Sequence, residues 1–151
     1  MRPKELIIIS FAALLLSVGC SPNESSKPVE PGPATVQIFM SASDGMECGA
    51  VEPLQRHVDK KTPKVVLEAL LKGPSSEEIL KGAYTSIERG AKLLSVQEEG
   101  DVVIADFSGI ANGKSCRVKA IQNQIARTIT DNFPGKSAKI LVDGKPATPQ
   151  N

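Results

Sequence analysis

Residues 6–18 are almost wholly apolar and follow a start that carries Arg2 and Lys4, and this run decides how much of the chain is left to fold. A basic start, a short apolar stretch and then small Gly19 form the pattern of a secretory signal, which is absent from a mature protein. A helix that crosses a bilayer needs about 20 apolar residues, more than this run supplies. The expected signal segment is therefore 1–19. Taking nineteen residues from 151 leaves 132, and with Arg2, Lys4 and Glu5 gone the 18 basic and 17 acidic groups become 16 and 16. That length suits one domain of ordinary size. A near-neutral chain has no long-range field to draw it to nucleic acid, so no nucleic-acid partner is expected. Aromatic content is 3%, with no Trp, one Tyr and four Phe, which leaves little for a base-stacking platform or a sugar-binding ledge. The core is expected to be aliphatic.

The residues Leu16-Ser17-Val18-Gly19-Cys20 resemble the lipobox of bacterial lipoprotein precursors, with Leu16 one position further from the cysteine than in the usual pattern. The resemblance implies diacylation of Cys20 and cleavage just before it, making Cys20 the expected lipidation site. An ordinary signal peptide that leaves Cys20 as a spare thiol is the alternative. Acyl chains contribute about 0.8 kcal/mol per buried methylene, so a multiply acylated cysteine holds a domain on a membrane without a spanning helix. The expected location is the extracytoplasmic face of the cell membrane. In a two-membrane organism it is the periplasmic side of the outer membrane, because Ser21 is not the Asp of an inner-membrane retention signal. Residues 20–33 carry four prolines and no apolar periodicity and read as a lipidated tether. The folded part is expected over 34–145, with a flexible tail at 146–151.

Within it, branched and aromatic residues predict a strand over 35–40, and a second extended run covers 51–58. Thr62 followed by Pro63 opens a helix whose apolar face is Val66, Leu67, Leu70 and Leu71, closed by Gly73-Pro74. Ser75 or Ser76 begins a short further turn that ends at Gly82. Residues 92–96 and 102–107 form a hairpin through Glu98-Glu99-Gly100-Asp101. Val118, Ile121, Ile125 and Ile129 mark one face of a helix from Ser115 to Asn132, stopped by Phe133-Pro134-Gly135. A last strand, 139–142, runs into Asp143-Gly144. Two main helices with one apolar face each, against about five strands, predict an α+β single small domain with a mixed sheet.

In an exported chain the two cysteines left beside Cys20, Cys48 and Cys116, are expected to pair as a disulfide. Closing a loop of 68 residues stabilises a fold by about 4 kcal/mol in the chain-entropy model. Two free thiols or a metal pair are the alternatives, and with one histidine a zinc site lacks ligands, so no metal is expected. Gly113-Lys114-Ser115 follows a strand and opens a helix, the setting of a phosphate loop, but Ser108 stands where that loop needs glycine, and no nucleotide is expected. His57 reads as a partly exposed strand residue, and Glu98, Glu99, Asp101 and Asp106 as turn and surface positions. No Gly-x-Ser-x-Gly elbow is present. No catalytic residue and no cofactor is expected.

The segments TPKVVLEALLKGP (62–74), Thr85-Ser86-Ile87 before Gly90, the strand ending Val103-Ile104-Ala105-Asp106-Phe107-Ser108, the Ile-rich helix, Phe133-Pro134-Gly135 and Val142-Asp143-Gly144-Lys145 occur in an order that resembles the GerMN domain. That is the sporulation and spore germination family, and the likeness covers nearly all of 35–145. It implies a secreted or lipoprotein-borne α+β domain, similar to ring-building domains, with no known catalytic activity and no ligand residue set. Its best understood members act in envelope assemblies of spore-forming bacteria, whereas one domain with the Cys48 and Cys116 pair resembles GerMN lipoproteins outside sporulating lineages. The expected function is a non-catalytic interaction or assembly module of the envelope, anchored to the membrane and contacting an envelope protein or itself. The alternative is a receptor for a small ligand or a peptidoglycan-derived glycan, with Arg56, His57, Tyr84 and Arg89 as the residues able to line its pocket.

Overall fold

Strand β1 (Ala34–Ser41) is built from β-branched and aromatic residues and pairs antiparallel with β2 (Val51–Val58), Ala34 opposite Val58 and Ser41 opposite Val51. The computed structural model describes residues 31–42 and 47–149; the signal segment and Cys20 lie outside them. The strand period turns Val36, Ile38 and Met40 inward. β2 is an edge strand, which is why it tolerates Pro53, a residue with no N–H to donate.

Helix α1 (Pro63–Leu71) begins where the Thr62 hydroxyl accepts from the Val65 N–H and Pro63 occupies the first turn. It buries Val66, Leu67, Ala69 and Leu70. The short α2 (Ser76–Leu80) starts from a capping box in which Ser75 and Glu78 satisfy each other's backbone N–H groups. Strands β3 (Lys92–Glu99) and β4 (Val102–Ser108) form the hairpin, with a register shift between Leu93 and Ser95. Helix α3 (Cys116–Asn132), capped by Ser115, carries the chain from β4 to β5 (Ser137–Val142), which lies parallel to β4 as a helical crossover allows. Asp143 and Gly144 both adopt positive φ, 50° and 76°, the two-residue turn that Asp-Gly favours, and return the chain as β6 (Lys145–Pro146) beside β5.

The α+β class is as expected, but the single mixed sheet of about five strands divides into two: β1-β2, and a mixed sheet ordered β3-β4-β5-β6. The cause is on α3. Gln124, Thr128 and Asn132, spaced four apart, are all buried and point at the free edge of β1. Asn132 accepts from the Gln37 N–H and donates to the Gln37 carbonyl; Thr128 accepts from the Phe39 N–H; Gln124 donates to the Phe39 carbonyl. At the end of the strand the Ser41 N–H donates to the Tyr84 carbonyl. Helix side chains thus satisfy the backbone groups that another strand would have taken.

The core joins both sheets and both main helices: Ile38 and Met40, Leu67 and Leu70, Val103, Ala105 and Phe107, and Ile121, Ile125 and Ile129. Each large aliphatic side chain buried there is worth about 1.5–3 kcal/mol. Residues after β6 are held as well, which corrects the expectation of a loose tail as far as Thr148. The Ala147 N–H donates to the Ile140 carbonyl, the Thr148 N–H to Asn112, and Gln122 to the Thr148 carbonyl.

Candidate interaction site

The connection between α1 and α2 is fixed from β2. Arg56 reaches across with both terminal nitrogens to the Glu78 carboxylate, at 2.6 and 2.7 Å, and also donates to the Gly73 carbonyl. Glu78 in turn accepts from the Ser75 N–H. These bonds, the Arg56 pair foremost, hold the Glu78 carboxyl down at about 2. A five-residue helix has no stability of its own, so this planar two-bond pair supplies the rigidity that its length cannot.

Held this way, α2 turns its apolar side chains outward. Ile79 is 56% exposed and Leu80 88%, and Tyr84 beside them is 45% exposed while its hydroxyl donates to the Ala42 carbonyl. Between α2 and the end of α1 runs a groove of about 310 Å³, whose apolar walls are Leu71, Pro74, Ile79, Ala83, Tyr84 and Ile87. Lys72, Glu88 and Arg89 stand along it. Glu88 is committed elsewhere, to the Ala111 N–H and to Arg117 at 3.0 Å. Lys72 and Arg89 have no ion-pair partner among the described residues.

Of the four residues considered for a ligand pocket, Tyr84 and Arg89 line this groove, whereas Arg56 and His57 line a separate depression of about 170 Å³ against α1. They do not converge. His57 faces its cross-strand neighbour Thr35 at 3.0 Å. Ser115 of the Gly113-Lys114-Ser115 stretch is the α3 cap, accepting from the Val118 N–H. Asp106 accepts from the Gly144 N–H, Glu98 pairs with Lys136 at 3.0 Å, and the Asp101 carbonyl accepts from the Ser137 N–H. Among the described residues no group of three or more His, Cys, Asp or Glu lies close enough to hold a metal, and no helix is long and apolar enough to cross a membrane.

Cys48 and Cys116 form a disulfide with Cα atoms 4.9 Å apart, tying the loop before β2 to the first turn of α3. Gly49 beside it has φ 82°, and a Cβ there would meet the Lys119 side chain at 2.7 Å, so any other residue at 49 would be strained and would have to displace Lys119. Asn123 holds the Gly49 carbonyl. A wider depression of about 750 Å³ borders the disulfide, with Ala42, Glu47, Tyr84 and Arg117 among its lining residues. The exposed face of α2 carried no sequence signal of its own: Ile79 and Leu80 fall within the short turn expected between Ser75 and Gly82.

This architecture is that of the small α+β domains called GerMN. Two structures of the sporulation protein GerM from Bacillus subtilis are similar. Its first GerMN domain is 21% identical over 75% of this chain and 85% of that chain, with a TM-score of 0.57. Its tandem GerMN domains are 23% identical over 85% of this chain and 43% of that chain, with a TM-score of 0.55, so the present chain spans less than half of the tandem protein. A candidate lipoprotein from Clostridium perfringens is a weaker match, 24% identical over 76% of this chain and 77% of that chain, with a TM-score of 0.45. No curated protein matches. The model of the Germane family, described as sporulation and spore germination, matches residues 37–148, and the chain belongs to that family.

Proposed function

We propose that this protein is a membrane-anchored, extracytoplasmic lipoprotein whose GerMN domain acts by contact, as a non-catalytic assembly module of the bacterial envelope. The observation that carries the reading is the α2 face. Two large aliphatic side chains, Ile79 and Leu80, are held out in solvent by a helix that the Arg56–Glu78 pair fixes in place. Exposed apolar groups scattered singly need no explanation, but a rigid pair beside an apolar groove is the form of a protein-docking surface. The Cys20 anchor fits the same picture, since it would restrict the domain to neighbours on one membrane face. Membership of the sporulation and germination family supports a place in an envelope assembly of that kind.

A photoreactive residue substituted at position 80 tests this in the living cell. The expected result is one discrete adduct with an envelope protein or with a second copy, absent when the same residue is placed at exposed Lys64 on α1. A folded, membrane-bound protein that gives no adduct from position 80 contradicts the reading.

A further inference from the structure

We infer that the groove between α1 and α2 docks an acidic segment of a partner protein, an apolar side chain entering the groove and a neighbouring carboxylate meeting Lys72 and Arg89. The inference rests on the contact reading above and adds the chemistry of the partner. The walls of the groove are apolar, which selects an aliphatic or aromatic side chain, and its volume is at the small end of the range that holds a compact ligand. The charge on its rim is one-sided. Glu88, the acidic residue lining it, is neutralised by Arg117 and the Ala111 N–H, while Lys72 and Arg89 have no ion-pair partner among the described residues. Lys81 of the same region is already paired with Glu77 at 2.6 Å. This leaves two cations without an ion-pair partner among the described residues beside one apolar slot, and complementarity calls for a carboxylate next to an apolar residue. An anionic bilayer fits less well: such surfaces are held by clusters of about four to eight basic residues, and Glu77 lies in the same short helix as Leu80.

The test selects a display library of random linear dodecapeptides on the full, disulfide-intact chain. Selected peptides are then titrated against wild type, Lys72→Glu/Arg89→Glu and the milder Lys72→Gln/Arg89→Gln. Both residues lie on the surface, and unchanged melting temperatures confirm that the variants are folded. The expected peptides carry Asp or Glu within a residue or two of an apolar side chain and shift the methyl resonances of Leu71, Ile79 and Ile87. They also bind the reversed variant about tenfold or more weakly, the neutral variant less so, and lose affinity as salt rises. No enrichment, enrichment of basic or uncharged peptides, indifference to charge reversal, or shifts elsewhere would each overturn the inference. So would a dimer in light scattering that Leu80→Asp dissolves, or binding to phosphatidylserine vesicles that charge reversal abolishes. If the selection fails while position 80 still captures an envelope neighbour in cells, the acidic chemistry is wrong and the contact reading stands; if both fail, both fall.

Discussion

Gln124 joins α3 both to β1 and to the segment before β3. It is fully buried, accepts from the Ser86 N–H and donates to the Phe39 carbonyl, so Gln124→Leu leaves two buried backbone groups unpartnered. The expected loss is about 2–4 kcal/mol in denaturant unfolding, against less than about 0.5 kcal/mol for a change at exposed Lys139. Glu78 gives a prediction in pH. Its folded value, about 2, lies below the ordinary 4.5, so its contribution to stability is fully present above about pH 5 and drains away as pH falls toward 2. Glu78→Gln is expected to be less stable than wild type at pH 7 and to approach it in stability at pH 2, measured by chemical unfolding at both. A difference that stays constant between the two would contradict the Arg56 pairing. The spacing of Gln124, Thr128 and Asn132 is visible in the sequence, but three polar residues on a helix ordinarily face water. Only the position of β1 turns them inward, and no local signal encodes that position.

The elements were more legible than their partners. Thr62-Pro63 and Ser115 act as the caps their residue types favour, and the Val118, Ile121, Ile125, Ile129 stripe lies on the core as its period requires. Sheet membership was hidden, because pairing depends on contacts between segments far apart in the chain; the separate β1-β2 sheet follows from α3 occupying its edge. Strand β6 was readable and missed, since Asp143-Gly144 is the turn pair that a two-residue hairpin favours. The disulfide, which spans 68 residues, acts at this scale. Reducing it, or making Cys48→Ser/Cys116→Ser, is expected to lower unfolding free energy by up to about 4 kcal/mol. Hydrogen exchange should rise first at Gly49 and Ala50. The Asn132, Thr128 and Gln124 bonds continue to hold β1 to α3, so loss of protection along all of β1 on reduction would contradict this account.

For the whole molecule, anchoring and contact are separable. Cys20→Ser is expected to release the protein from the membrane fraction without changing its melting temperature, and retention in that fraction would argue against acylation at Cys20. Contact is tested by Ile79→Asp/Leu80→Asp, which alters side chains that lie mostly in solvent and should change stability by no more than about 0.5 kcal/mol per site. The most direct measurement is native electrophoresis of mild detergent extracts from cells carrying either form. Wild type is expected to migrate in an assembly well above the mass of the single processed chain, and the double variant alone, with both equally abundant and equally stable. A wild type that migrates by itself, or a double variant that stays in the assembly, would contradict a domain that works through its α2 face.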